Sequence, residues 1–277
     1  MERALKRYAP LFVLPTVLAF AIGFLFPFLQ GIYLSFCQFT TVSDATWTGI
    51  GNYQRAFADA QFLKSFWFTV AFAVVSIVLI NVIAFALALL LTRKLKGTNL
   101  FRTVFFMPNL IGGIVLGYIW QILINCLLSL AGRPLLALNS AAGYWGLIVL
   151  MCWQQVGYMM IIYIAGIQNV PGELIEAAKI DGCTAFKALI HITLPLIRPT
   201  LLVVCVTVSI TAFGQFSLPY SLTGGGPQRA TQLIGLYMHE QAFTYNELSY
   251  GATIGVLIFA INIVMTLIYN RVLRQDG

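Results

Sequence analysis

The chain has 277 residues, of which 60% are hydrophobic and only 9% charged, with a formal net charge of +7. A soluble domain carries about 25% charged residues, so this composition excludes a soluble globular enzyme and a nucleic-acid-binding domain. It leaves an integral membrane protein whose length suits one helical domain with several spans. Five cysteines, Cys37, Cys126, Cys152, Cys183 and Cys205, are scattered, mostly inside apolar runs. Their odd number and unpaired spacing predict small apolar packers, with no disulfide framework and no metal site.

Arg3, Lys6 and Arg7 precede an apolar run over residues 10–36 that contains Pro15 and Pro27. Membrane helices tolerate such prolines because neighbours and local distortions satisfy the freed carbonyls. The run is too long for a signal-peptide core and reads as a retained first span. Residues 37–64 are mixed, with Asp44, Trp47, Arg55 and Asp59, and read as an aqueous loop with aromatic anchors at the interface. A second span is expected over 65–92. It ends in a basic turn, Arg93, Lys94 and Lys96, closed by Arg102. A third is expected over 103–127, with Pro108, Gly112 and Gly113 near its start, and a fourth over 144–166. The charged stretch Pro171–Pro195 comes next, then a fifth span over 199–222, a polar loop over 223–250, a sixth span over 251–269, and a tail with Arg271 and Arg274. Each run is near the roughly 20 residues that cross the hydrocarbon. The expected fold is therefore all-α: a single transmembrane domain over 1–277, with six spans and a surface helix pair between the fourth and fifth.

Lys and Arg orient the spans. Only Arg55, Lys64, Arg133 and Arg229, of 16 positive residues, fall in the segments on the side opposite the termini. Both termini and the charged stretch are therefore expected in the cytoplasm. None of the six expected spans contains Asp, Glu, Lys, Arg or His, whereas proton relays and voltage sensors need such groups. The chain also lacks a GxxxxGK[ST] phosphate loop, so it is not expected to bind ATP in the usual way. If it drives transport, the energy enters from another chain, and no catalytic residue is expected on this one. A solitary sodium-coupled carrier or facilitator stays open as an alternative.

Within the charged stretch, Pro171 suits a first helical turn. Glu173 and Glu176 suit the positive end of the helix dipole. Leu174, Ala177, Ala178 and Asp181 lie at helical spacing and predict one small, mostly apolar face. Asp181 and Gly182 read as a stop, and Thr184 as the cap of a second short helix over Phe186, Leu189 and Ile190. Pro195 and Pro199 close it, so the helix pair spans about 171–193. Such a pair either rests on lipid headgroups or holds a partner in the water.

Glu176-Ala177-Ala178, Gly182, Ile192, Leu194 and Pro195 spell EAA---G---------I-LP. This resembles the signature of the inner-membrane permease subunits of binding-protein-dependent ABC importers. The resemblance implies coupling helices that dock on the ATP-hydrolysing subunit, with Glu176, Ala177, Ala178, Asp181 and Gly182 at the contact. Leu222-Thr223-Gly224-Gly225-Gly226-Pro227, with Ala230-Thr231 and Ala242-Phe243, is similar to the LTGGGP loop of carbohydrate importers, on the maltose-type first permease. Gly51-Asn52-Tyr53, Asp59 and Phe62 look like the matching first loop. The resemblance further implies a bacterial cytoplasmic-membrane subunit that carries an oligosaccharide or related sugar. A second homologous permease and two ATP-binding subunits are implied beside it, with ATP and Mg held by those subunits. An extracytoplasmic solute-binding protein would dock at Gly224, Gly225, Gly226 and Pro227.

Sugars need hydrogen bonds and aromatic faces. Uncharged polar residues inside spans are the candidates for the pathway: Ser209, Thr211, Gln215, Ser217 and Tyr220 in the fifth, then Gln154, Gln155 and Tyr158 in the fourth. Each could instead pair between helices as packing glue.

Overall fold

The computed structural model describes residues 13–93 and 96–273. The expected start of the first span at residue 10, and the positives Arg3, Lys6, Arg7, Lys94 and Arg274, lie outside the described residues. In chain order the elements are α1 (Val13–Ser35), β1 (Cys37–Gln38), β2 (Thr46–Trp47), α2 (Gly51–Ala58), α3 (Ala60–Leu91), α4 (Thr98–Phe106), α5 (Gly113–Leu130), α6 (Ser140–Gln168), α7 (Gly172–Ile180), α8 (Ala185–Leu196), α9 (Arg198–Phe213), α10 (Ser217–Leu222), α11 (Ile234–His239) and α12 (Leu248–Leu273). Among the described residues, α1, α3, α5, α6 and α12 are long and apolar enough to cross a membrane. The bent pair α8 and α9, 70° apart, supplies a sixth crossing.

Two runs are not the single helices their composition suggested. The run over 103–127 is broken: α4 passes into a 3-10 turn over Met107–Leu110, and α5 begins only at Gly113. Pro108 has no N–H for a helical ladder, and Gly112 at ψ 130 turns the chain out of helix. The run over 199–222 breaks at residues 214–216 into α9 and α10. The loop over 223–250 is not simply aqueous either. Thr231, Gln232, Leu233 and Ile234 are buried, and α11 continues into a π turn over Glu240–Thr244. Two further π turns, Ala21–Leu25 and Leu189–Thr193, end two residues before Pro27 and Pro195. The wider turn accommodates a residue that cannot donate to the carbonyl four positions back.

The chain forms two compact units. One joins the chain up to Ala60 with Met238–Leu257. Here β1 and β2 pair antiparallel, Cys37 opposite Trp47. Asn52 Nδ2 donates to the carbonyls of Ser35 (3.1 Å) and Cys37 (2.9 Å), tying α2 to the end of α1. Ser249 Oγ closes both backbone groups of Phe39. Arg55 pairs with Glu247 and lies 4.3 Å from the Tyr250 ring, while Tyr250 donates to Asp59 at 3.0 Å. The N–H groups of Thr41 and Thr40 donate to Asp44 and hold its carboxyl below the usual carboxylate range.

The other unit joins Gln61–Tyr237 with Ile258 onward. Its centre is α6, which is buried along most of its length. The side chain of Asn139 caps it by accepting from Ala142 N. On α3, Ser65, Thr69, Phe72, Ala73, Ser76, Ile80, Ala84 and Ala88 form one buried stripe, in which the Ser, Thr and Ala positions allow close helix packing. Gly157 of α6 takes the backbone of α4 against it: a Cβ there would lie 1.8 Å from the Phe105 carbonyl oxygen. On α5, Gly113, Gly117 and Gln121 recur every four residues along one face, and α10 lies on that face. A Cβ at Gly113 would meet Ser217 Oγ at 2.3 Å, and one at Gly117 would meet Ser221 Oγ at 1.8 Å. Gln121 Nε2 then donates to the Leu222 carbonyl at 3.0 Å.

Candidate functional site

The segment over 172–196 is a helix, a tight turn and a second helix. α7 starts after Pro171, with Glu173 in its first turn and Lys179 in its last, both favourable to the helix dipole. It ends in a Schellman turn: Cys183 N donates to the Ala178 carbonyl at 2.8 Å and Gly182 N to the Lys179 carbonyl at 3.1 Å. Gly182 has φ +77, and nothing lies within 4 Å of where its Cβ would be. The position therefore needs glycine for its backbone, not for space inside this chain. Thr184 Oγ1 accepts from Lys187 N and caps α8.

The expected small apolar face of α7 divides. Ala178 is buried, with Ile175 half-buried beside it, whereas Leu174, Ala177 and Asp181 face outward together with Glu176. Ala178 is thus covered within this chain. Ile180 and Phe186 are 86% and 70% exposed, which leaves large apolar side chains at the turn. Exposed apolar groups rimmed by Glu173, Glu176, Lys179 and Asp181 are the composition of a contact surface. Gly182→Ala is expected to cost about 1 kcal/mol of stability, because Ala must take the left-handed backbone without any clash. Thermal unfolding of the purified chain checks this, and no loss would show that the turn relaxes.

The polar residues expected along the pathway separate into three kinds. Ser209 donates to the Cys205 carbonyl at 2.7 Å and meets Tyr269 Oη at 3.1 Å, and Thr211 donates to the Thr207 carbonyl, so their hydroxyls are occupied within the chain. Tyr220 and Tyr158 are exposed, their rings beside Phe216 and Phe106. Gln215 sits in the break between α9 and α10, 7% exposed, and accepts from Ser217 Oγ at 3.2 Å. The break is braced by α11: a Cβ on Gly235 would lie 2.7 Å from the Gln215 carbonyl oxygen. Gln154 and Gln155 are each 9% exposed, and among the described residues neither amide makes a hydrogen bond.

Loop residues Thr223–Leu233 close on themselves. Thr231 Oγ1 donates to the Gly226 carbonyl at 2.6 Å and to Thr223 Oγ1 at 2.9 Å, and Thr231 N donates to the Gly225 carbonyl. Gly224 and Gly225 both have positive φ. Gly225 is buried against Gln232, while Gly224 is exposed and Gly226 and Pro227 are half-exposed. The loop is anchored further by Gln232 Oε1, which accepts from Gln61 at 2.7 Å, and by Ile234 N, which donates to Thr69 Oγ1 at 2.8 Å.

Two features are not evident from sequence. The first is the α5–α10 interlock; its GxxxG spacing at Gly113 and Gly117 is visible, but its serine partners are not. The second is a polar node between three helices. Asn81 Oδ1 of α3 accepts from Tyr163 Oη of α6, and Cys205 of α9 reaches it at 3.8 Å. Asn81 alone, as a lone amide in an apolar span, is the signal that could have found it.

The profile of the family described as "Binding-protein-dependent transport system inner membrane component" matches residues 96–275. The chain is 38% identical to the probable starch degradation products transport system permease protein AmyD of Thermoanaerobacterium thermosulfurigenes, over 93% of this chain and 91% of that one. It is 32% identical to the arabinooligosaccharides transport system permease protein AraP of Bacillus subtilis, over 95% and 88%. It is 30% identical to the trehalose/maltose transport system permease protein MalF of Thermococcus litoralis, over 95% and 92%. Among solved structures, a bacterial ABC transporter that imports the acidic polysaccharide alginate superposes with a TM-score of 0.81, at 21% identity, over 99% of this chain and 98% of that one.

Proposed function

The chain belongs to the binding-protein-dependent transport system inner membrane component family, and we propose that it forms the sugar pathway of an ATP-driven importer of oligosaccharides. Its relatives are permease proteins of sugar transport systems, which leaves the solitary carrier without support. A second permease would complete the pathway, and two ATP-binding subunits, holding ATP and Mg, would dock at α7 and its turn. The observation that carries this reading is the α7–α8 segment. It presents Glu176, Ala177, Ile180 and Gly182 outward from a turn fixed by its own backbone bonds. A rigid, exposed turn can transmit a push through α8 to α9, which follows α8 in the chain.

The excess of Lys and Arg would place the basic segments in the cytoplasm, so both termini and α7 would face inward. The loop Gly224–Pro227 would then face the extracytoplasmic binding protein, with Gly224, Gly226 and Pro227 as its accessible part. Gln154, Gln155 and Gln215 are the best candidates to meet sugar hydroxyls. Each is a buried residue, and among the described residues the side chains of the first two have no hydrogen-bond partner. Ser209 and Thr211 would serve helix packing instead, and the exposed rings of Tyr158 and Tyr220 would offer stacking faces. Purification from native membranes in mild detergent tests the assembly. An ATPase and a second permease should accompany the chain in fixed ratio. A chain that arrives alone under conditions that preserve such complexes would contradict the proposal.

A further inference from the structure

The basic turn after α3 lies at one end of α4, and an apolar cavity lies at the other. From Gln61 to Gly172 the chain has no acidic residue at all, so nothing nearby in sequence neutralises Arg93, Lys96 and Arg102. Among the described residues none of these three forms an ion pair. Arg102 donates to the Leu91 carbonyl at 2.9 Å and so pins the start of α4 to the end of α3. Arg93 and Lys96 stay exposed beside it. Along α4, Leu100, Phe101, Val104 and Phe105 form one exposed apolar stripe at helical spacing. The stripe leads from the basic turn to an open cavity of ≈ 260 Å³, lined by Ile83 and Leu87 of α3, Val104, Phe105 and Pro108, and Val156 of α6. That volume is below the roughly 300–1,000 Å³ of a site for a whole drug-sized molecule, and the apolar lining suits a single hydrocarbon chain. The distance along α4 from Thr98 to Phe105 is about 10 Å at 1.5 Å per residue.

From this juxtaposition of an uncompensated cationic turn, an apolar helix stripe and an apolar cavity, we propose that α3, α4 and α6 form a binding site for an anionic phospholipid. Its phosphate lies at Arg93 and Lys96, and one acyl chain runs along α4 into the cavity. The cations select the charge of the headgroup, and the cavity takes the chain. The site sits where a polybasic segment meets the anionic leaflet of a membrane. It rests on the membrane-spanning fold and on the cytoplasmic placement of the basic segments proposed above, not on what the chain transports.

Trp153 also lines the cavity and reports on its contents. The full chain would be reconstituted in phosphatidylcholine vesicles. Acyl-brominated phosphatidylglycerol and acyl-brominated phosphatidylcholine would be titrated in separately. The part of the fluorescence quenching lost in Trp153→Phe isolates this site. Brominated phosphatidylglycerol should quench at a lipid fraction on the order of tenfold lower than brominated phosphatidylcholine, since each surface cation contributes to anionic-lipid affinity. The pair Arg93→Gln and Lys96→Gln should erase that preference, and Val156→Phe, which fills the cavity, should reduce quenching by both lipids. Equal quenching by the two lipids in the unmodified chain would overturn the site, as would a preference that survives in the neutral pair. Loss of ATPase binding in that pair, with lipid preference unchanged, would assign the turn to the partner and equally overturn it.

Discussion

Glu176→Lys should leave the chain folded and inserted but abolish most ATP-driven uptake. Glu176 is exposed on α7, and among the described residues it makes no ion pair or hydrogen bond. Surface changes of that kind usually stay within about 0.5 kcal/mol of the original stability. At a docked interface the same reversal acts differently, because a like charge opposite a partner cation, or an unpaired buried charge, costs about 2–5 kcal/mol. That corresponds to at least roughly 30-fold weaker ATPase docking. Thermal unfolding should therefore be unchanged, while uptake and ATPase recovery fall together. Normal uptake with normal ATPase recruitment would remove Glu176 from the contact.

Gly117→Ala is the second large effect, and it acts through packing. Its Cβ would lie 1.8 Å from Ser221 Oγ and 2.9 Å from Ser221 Cβ, with the Leu222 backbone N at 3.5 Å behind. Ser221 is fully buried, and its hydroxyl already donates to the Ser217 carbonyl. The added methyl must push α10 away from α5, at about 1–3 kcal/mol for an overpacked contact. Because α10 carries Tyr220 and begins just after Gln215, uptake should fall along with stability. Ser221→Gly in the same chain removes the atoms in the way and should recover most of both. If Gly117→Ala is tolerated alone, or if the double change is no better than the single, α5 and α10 do not interlock as described.

These contacts mark what the sequence could and could not disclose. The α7–α8 turn is legible because its signals are local: a proline at the start, a glycine with left-handed backbone at the stop, and a threonine cap. The spans are legible as apolar runs, but their breaks are not. Pro108, Asn109 and Gly112 at one break and Gly214 and Gln215 at the other are residue types that continuous membrane helices also carry, so they do not by themselves announce where the backbone leaves helix. The loop over 223–250 reads as aqueous because Thr231 and Gln232 are polar. In the folded chain their side chains bond to Thr223, Gly226 and Gln61, so polarity there reflects internal pairing and not solvent. Spacing alone groups Ala178 with its exposed neighbours, and only the folded chain shows that it is buried.

In the proposed assembly the chain conducts sugar only when ATP is hydrolysed on a subunit docked at α7. The most direct measurement is accumulation of labelled oligosaccharide in vesicles that contain the assembled complex, with its binding protein outside and ATP inside. Uptake should require both ATP and the binding protein and should disappear in Glu176→Lys. Uptake by this chain alone, driven by no ATP, would contradict that assembly.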